Sequence, residues 1–274
     1  MAVINTNVAA TLTANALARN EKAMGQAMER LSTGLKINSA SDDAGGLSMS
    51  LTMTAQIKGL DMAAKNANDA ISMVQTADGA SVEIGNMMQR MRELAVQAVN
   101  GTQTAADLDA LDLEYQALLS EIDRIAEATQ FNGTAIITGA VGTTGTVSFQ
   151  VGADSAQTVD VAFGDFNTAA LTITGGDIDD ATNAAAAITA LDTDIDALAQ
   201  QRATYGAAIN RLEYAVDNLN NISMNTQASR SRLQDTDYAS ESTELARSQI
   251  VAQAGTAMLA QANQQAQTVL ALLK

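Results

Sequence analysis

The sequence predicts a mainly α-helical fold. It reads as a long antiparallel coiled-coil rod with a small antiparallel β insert at one end, and termini that pair as a two-helix segment. Three observations predict it. Apolar residues recur at alternating steps of three and four over long stretches on both sides of the chain's centre. Between them, over residues 131–180, the period changes to two. Proline is absent from all 274 residues and aromatics make up only 3%, so helices run unbroken and a thick aromatic core is excluded.

The elements follow in order. Leu17, Met24, Met28, Leu31 and Leu35 carry the first stripe. "DDAGG", Asp42 to Gly46, reads as a cap and turn before the next helix. That helix carries Ile57, Leu60, Ala64, Ala67, Ile71 and Val74, then Ile84, Met87, Met91, Leu94 and Ala98 beyond Asp78-Gly79. Asn100-Gly101 ends it. Leu108, Leu111, Tyr115, Leu118, Ile122 and Ile125 mark a third helix. In the insert, Val147/Phe149/Val151, Val159/Val161/Phe163 and Leu171/Ile173 alternate as short strands, with turns at 138–146 and at Gly175-Gly176. The helical step returns at Ile188, Leu191, Ile195, Leu198, Tyr205, Ile209, Leu212, Val216 and Leu219, with Arg202 the charged intruder. Leu259, Ala262, Ala266, Val269 and Leu273 close the chain on one helical face.

Charge is distributed unevenly. Residues 42–229 hold 7 basic and 25 acidic groups, a net −18 within a chain total of −16. Neither Met1–Ala18 nor Ser248–Leu273 contains a charged side chain. A net acidic chain argues against nucleic acid as partner. The neutral ends are too rich in Asn, Gln and Thr for membrane spans, which need about 20 mainly apolar residues. The first 18 residues lack a basic n-region and an apolar h-region, so a Sec signal is not expected; cytosolic residence and export without a cleaved signal both stay open.

If the chain folds back at the insert, both neutral ends meet as antiparallel helices. Two paired helices cannot bury every apolar residue, and small residues such as Ala252, Ala254, Gly255 and Ala257 permit close approach on more than one side. Packing against further copies of the chain is then the expectation for the ends, and an ordinary intramolecular core for 45–225. With no Cys and no His, thiolate and imidazole chemistry are excluded, and no catalytic, cofactor or metal site is legible. "DTDID", Asp192 to Asp196, reads as a solvated helix face, since it lacks the Gly and closing Glu of a calcium loop.

Six stretches resemble bacterial flagellin: "INTNVAA" (Ile4–Ala10), "ERLSTGLKINSASDDAGGL" (Glu29–Leu47), "MQRMRELAVQAVNGT" (Met88–Thr102), "EIDRIAEATQFNG" (Glu121–Gly133), "ASRSRLQDTDYASES" (Ala228–Ser242) and "SQIVAQAGTAMLAQANQ" (Ser248–Gln264). The resemblance implies a subunit of the extracellular flagellar filament that polymerises for swimming motility. It implies an inner-tube coiled coil made of 1–44 and 230–274, outer-tube helices in 45–180 with the β insert at 131–180, and an outer-tube helix at 181–229. It places inner-tube polymerisation at Ile4, Val8, Leu12, Leu259, Ala262, Ala266, Val269 and Leu273. Arg90, Leu94, Gln97 and Glu114 match positions of outer-tube packing and Toll-like receptor contact. Asp43 and Gly46 match the segment sensed by plants, from which this chain departs at Ser41 and Gly45. The implied partners are further copies, a flagellar export chaperone, filament cap and hook-junction proteins, and host innate receptors, with secretion through the flagellar type III apparatus. A hook–filament junction protein is the alternative.

Overall fold

The computed structural model describes residues 7–173 and 176–271, with side chains as far as residue 264. Ile4 and Leu273, the side chains of Ala266 and Val269, and the expected turn residue Gly175 lie outside that description. Five helices are described: α1 (Val8–Thr33), α2 (Ala44–Ala98), α3 (Ala105–Ala128), α4 (Ala181–Gln234) and α5 (Tyr238–Ala271). Two short antiparallel hairpins lie between α3 and α4: β1 (Gln130–Phe131) with β2 (Thr134–Ala135), and β3 (Thr146–Gln150) with β4 (Thr158–Ala162). The chain forms two compact units, one of residues 1–55 and 225–274, the other of 56–224.

In the first unit α1 and α5 run antiparallel. Asn7 donates to the Ala262 carbonyl at 3.1 Å, Asn20 to that of Ser248 at 2.7 Å, and Arg30 faces Glu241 at 3.5 Å. The Asn7 side chain caps α1 by accepting from the Ala10 N–H. Gly34 ends it with φ +73°, a left-handed conformation that glycine adopts without a Cβ penalty. Asp43 Oδ1 accepts from the Gly46 N–H at 2.9 Å and so starts α2. A Cβ on Gly46 would fall 2.5 Å from Asp43 Oδ2 and 2.6 Å from Ile37 Cδ1, so the turn leaves no room for a side chain.

In the second unit α2 is antiparallel to α3 and α4, as Arg90–Glu114, Arg92–Asp192, Asp78–Arg202 and Asp61–Ser223 record. Asp78-Gly79 does not interrupt α2. The intruder Arg202 reaches Asp78 at 2.9 Å rather than entering the core. Thr104 and Asp107 form a reciprocal capping box at the start of α3. Val147, Phe149, Val159 and Val161 turn inward from the β3–β4 hairpin onto the helical core. Gly142, φ +62°, sits against the Thr146 carbonyl, where a Cβ would collide.

Two expectations are corrected here. Leu171 and Ile173 are buried on either side of exposed Thr172, the burial rhythm of a strand, yet the segment pairs with no strand among the described residues. The Leu171 N–H donates to the Asn167 and Thr168 carbonyls, and the donors of Thr172 and Ile173 go to a helix side chain instead. Asp194 accepts from the Thr172 N–H (3.0 Å) and hydroxyl (2.8 Å) and from the Ile173 N–H (3.1 Å). "DTDID" is therefore not wholly solvated: Asp194 is only 4% exposed, while Asp192 pairs with Arg92 at the surface. Asp123 on α3 holds the Thr168 N–H and hydroxyl, and Asp112 the Ile178 N–H. Three helix carboxylates thus accept backbone N–H groups of the insert's irregular part, beyond the two hairpins.

Candidate functional site

In the first unit the two uncharged stretches lie side by side, since Asn7 meets Ala262 and Asn20 meets Ser248. The α5 face toward α1 runs through Glu241, Leu245, Ser248, Ala252, Gly255, Leu259 and Ala262, in steps of three and four. Leu259 and Ala262 are half-buried on this face, so both belong first to pairing within the chain. Val8 and Leu12 point away from it, and Leu12 is 71% exposed. The four described members of the expected set therefore divide between intrachain packing and a free surface.

The free surface extends onto α5. Ile250, Val251 and Met258 are exposed; Arg247 stands one turn before Ile250, and no charged side chain follows it as far as residue 273. A largely apolar groove of about 240 Å³ runs between the helices, lined by Thr13, Ala16 and Leu17 on one side and Val251, Ala254 and Met258 on the other. Of these α5 residues the sequence reading names Ala254 for close approach but misses Val251 and Met258. Their signal was present: Val251, Ala254 and Met258 form a second stripe at steps of three and four beside the one read as the contact face.

The second candidate surface holds Arg90, Gln97 and Glu114. Arg90 donates to Glu114 at 2.9 Å and to Glu93 at 3.0 Å, and Gln97 is exposed. The side-chain hydrogen bond donated to Glu114, then that donated to Glu93, pushes the Arg90 guanidinium pKa up and keeps it charged. Leu94 does not join them as an exposed apolar anchor. It is 1% exposed and packs in the core, because Met91, Ala95 and Ala98 around it form the buried stripe of α2. The large exposed apolar residue next to Glu114 is Leu113.

Asp43 and Gly46 form the capping turn described above. Asp42 beside them accepts from the N–H groups of Asn38 and Ser39. The Ser39 bond, followed by that from Asn38, lowers the Asp42 pKa below the usual carboxylate range. Among the described residues no cluster of three metal-ligating side chains is found, and no helix is long and apolar enough to cross a membrane.

Residues 4–141 match the bacterial flagellin N-terminal helical region and residues 188–273 the flagellin C-terminal helical region. The chain is 47% identical to a flagellin of Halalkalibacterium halodurans over 251 residues, covering 91% of each chain. It is 42% identical to a flagellin of Bacillus subtilis, covering 99% of each. It is 41% identical to the flagellar filament 33 kDa core protein of Treponema phagedenis, over 99% of this chain and all of that one. Among solved structures, Bacillus cereus flagellin is similar with 39% identity and a TM-score of 0.49, over 57% of this chain and 88% of that one.

Proposed function

The chain belongs to the bacterial flagellin family, and on that premise we propose that it polymerises through its first unit as the structural subunit of the helical flagellar filament. The family is structural, and its filament lies outside the cell. The alternative of a hook–filament junction protein has less support, because both family regions and the full-length relatives are those of flagellins.

The observation that carries the reading is the part of the α1–α5 pair made of 8–18 and 248–264, which holds no charged side chain and leaves Val8, Leu12, Ile250, Val251 and Met258 exposed. Copies packed about one axis repeat every side chain at close range. A charge there would face its own image in a poorly solvated environment, at a cost of several kcal/mol per copy, roughly. Neutral apolar groups instead gain about 25 cal/mol for each Å² removed from water. In this reading 1–44 and 230–274 form the inner tube, and 45–180 and 181–229 the outer. Ile4, Val8, Leu12, Ala266, Val269 and Leu273 contact other copies, with Leu259 and Ala262 fixing the helix pair beneath them.

Secretion through the flagellar export apparatus, with an export chaperone, a cap and hook-junction proteins as partners, follows from the same family reading. So does contact with a vertebrate Toll-like receptor at Arg90, Gln97 and Glu114, with Leu113 in place of Leu94 as the exposed apolar group. Seeded polymerisation of a chain lacking Gln249–Lys274 tests the core of the proposal. The truncated chain should stay helical and soluble without elongating seeds; filaments built from it would overturn the reading.

A further inference from the structure

Methionine is the one sulfur side chain this molecule offers an oxidant: it has 12 Met and no Cys, Trp or His. The methionines differ in burial, with Met24, Met53 and Met87 half-buried. Met73, Met88 and Met91 are in the core of the second unit, whereas Met28, Met49, Met62, Met224 and Met258 are exposed. Of the exposed five, Met258 alone lines the apolar groove of the first unit, opposite Thr13, Ala16 and Leu17. We propose that Met258 is a methionine-oxidation site at which a hydroperoxide, acting on the free subunit, blocks its addition to the polymer. The proposal rests on the reading of that groove as a surface covered by a second copy.

The chemistry is self-contained. The thioether sulfur of Met258 donates a lone pair to one oxygen of hydrogen peroxide. An S–O bond forms as the O–O bond breaks. The departing hydroxide takes the proton left on the transferred oxygen, so that water leaves. Sulfur is oxidised by two electrons and the peroxide is reduced by two. The product replaces a flexible apolar group with a polar sulfoxide that demands a hydrogen-bond donor. The described groove wall offers little to meet it: Ala16, Leu17, Val251 and Ala254 have no polar side-chain atom, and Thr13 spends its hydroxyl proton on the Ala9 and Ala10 carbonyls. A second copy closing over the groove would strip the water that solvates the sulfoxide in the free chain.

The test treats full-length monomer and preformed filaments with dilute hydrogen peroxide, follows each methionine by peptide mass mapping, and then measures seeded elongation. Met258 in monomer should oxidise with the other exposed methionines and ahead of Met73, Met88 and Met91, and roughly tenfold more slowly in filaments. Monomer oxidised at Met258 should lose elongation and methionine sulfoxide reductase should restore it, whereas peroxide should leave Met258→Leu at that variant's own untreated elongation rate. Normal elongation by monomer fully oxidised at Met258 would overturn the proposal, as would an equal loss in treated Met258→Leu. If Met258→Leu elongates poorly before treatment, the reductase arm decides: no recovery on reduction of Met258 overturns the proposal. Equally fast oxidation of Met258 in filament and monomer would instead contradict the groove's place in the polymer.

Discussion

Replacing Asp194 with Ala isolates the device that ties the insert to the helices. The carboxylate accepts three hydrogen bonds, from the Thr172 N–H, the Thr172 hydroxyl and the Ile173 N–H. Thr172 is exposed, so its two donors recover water and contribute little to the loss. Ile173 is 2% exposed, and its N–H has no such recourse. Losing one charge-assisted bond and leaving one buried donor unmet costs about 3 kcal/mol. For a unit of this size that lowers the melting temperature by roughly 6–12 °C. Asp194→Asn keeps an acceptor oxygen and should lose about a third as much. The assay is thermal melting followed by near-UV circular dichroism, because Tyr115 and Tyr205 are both fully buried in this unit. A melt of Asp194→Ala within about 1 °C of wild type would refute the claim that helix carboxylates replace strand pairing here.

Burial, then the charges of Asp194 and Asp112, pushes the Tyr115 phenol up to about 12. The native state thus keeps a proton that the unfolded chain gives up near pH 10, so this contribution is intact below pH 10 and is lost as pH rises toward 12. It amounts to about 2–3 kcal/mol, and Tyr115→Phe should flatten the pH dependence of melting across that window. Gly46→Ala should destabilise by about 1–2 kcal/mol through the Asp43 cap, read by melting, while Gly45→Ala should be near neutral because its Cβ would sit 3.5 Å from Asp43 Oδ1. Arg90→Ala should leave monomer melting close to wild type, since its ion pairs lie at the surface. Loss of signalling by that variant in a receptor reporter assay would then report surface contact, and equal potency would remove Arg90 from the site.

The helices were legible because their stripes are long and nothing interrupts them. Ile57, Leu60, Ala67, Val74, Ile84, Met91 and Ala98 are all buried as their spacing requires. The β3–β4 hairpin was legible for the same reason, with Val147 opposite Val161 and Phe149 opposite Val159. Leu171–Ile173 shows the limit. Alternation tells which side chains go inward but not which group receives the backbone N–H. Asp194 could have been found: Leu191, Asp194 and Leu198 keep the helical step, which puts the carboxylate on the buried face. Leu94 illustrates the converse. The family resemblance groups it with Arg90 and Gln97, but its own place in the apolar stripe puts it in the core beside Met91, Ala95 and Ala98. On α5 two stripes compete in one uncharged sequence, and only packing against α1 decides which of them is left for another copy.

Leu12→Asp tests the central claim most directly. Leu12 is 71% exposed, so a carboxylate there should leave monomer melting within about 0.5 kcal/mol of wild type. In a polymer the same group would be repeated on every copy, poorly solvated and facing its like. Seeded elongation followed by electron microscopy should therefore show unextended seeds and a fully folded soluble monomer. Filaments of normal length from Leu12→Asp would mean that this face meets water in the polymer, and would contradict assembly through the neutral α1–α5 surface.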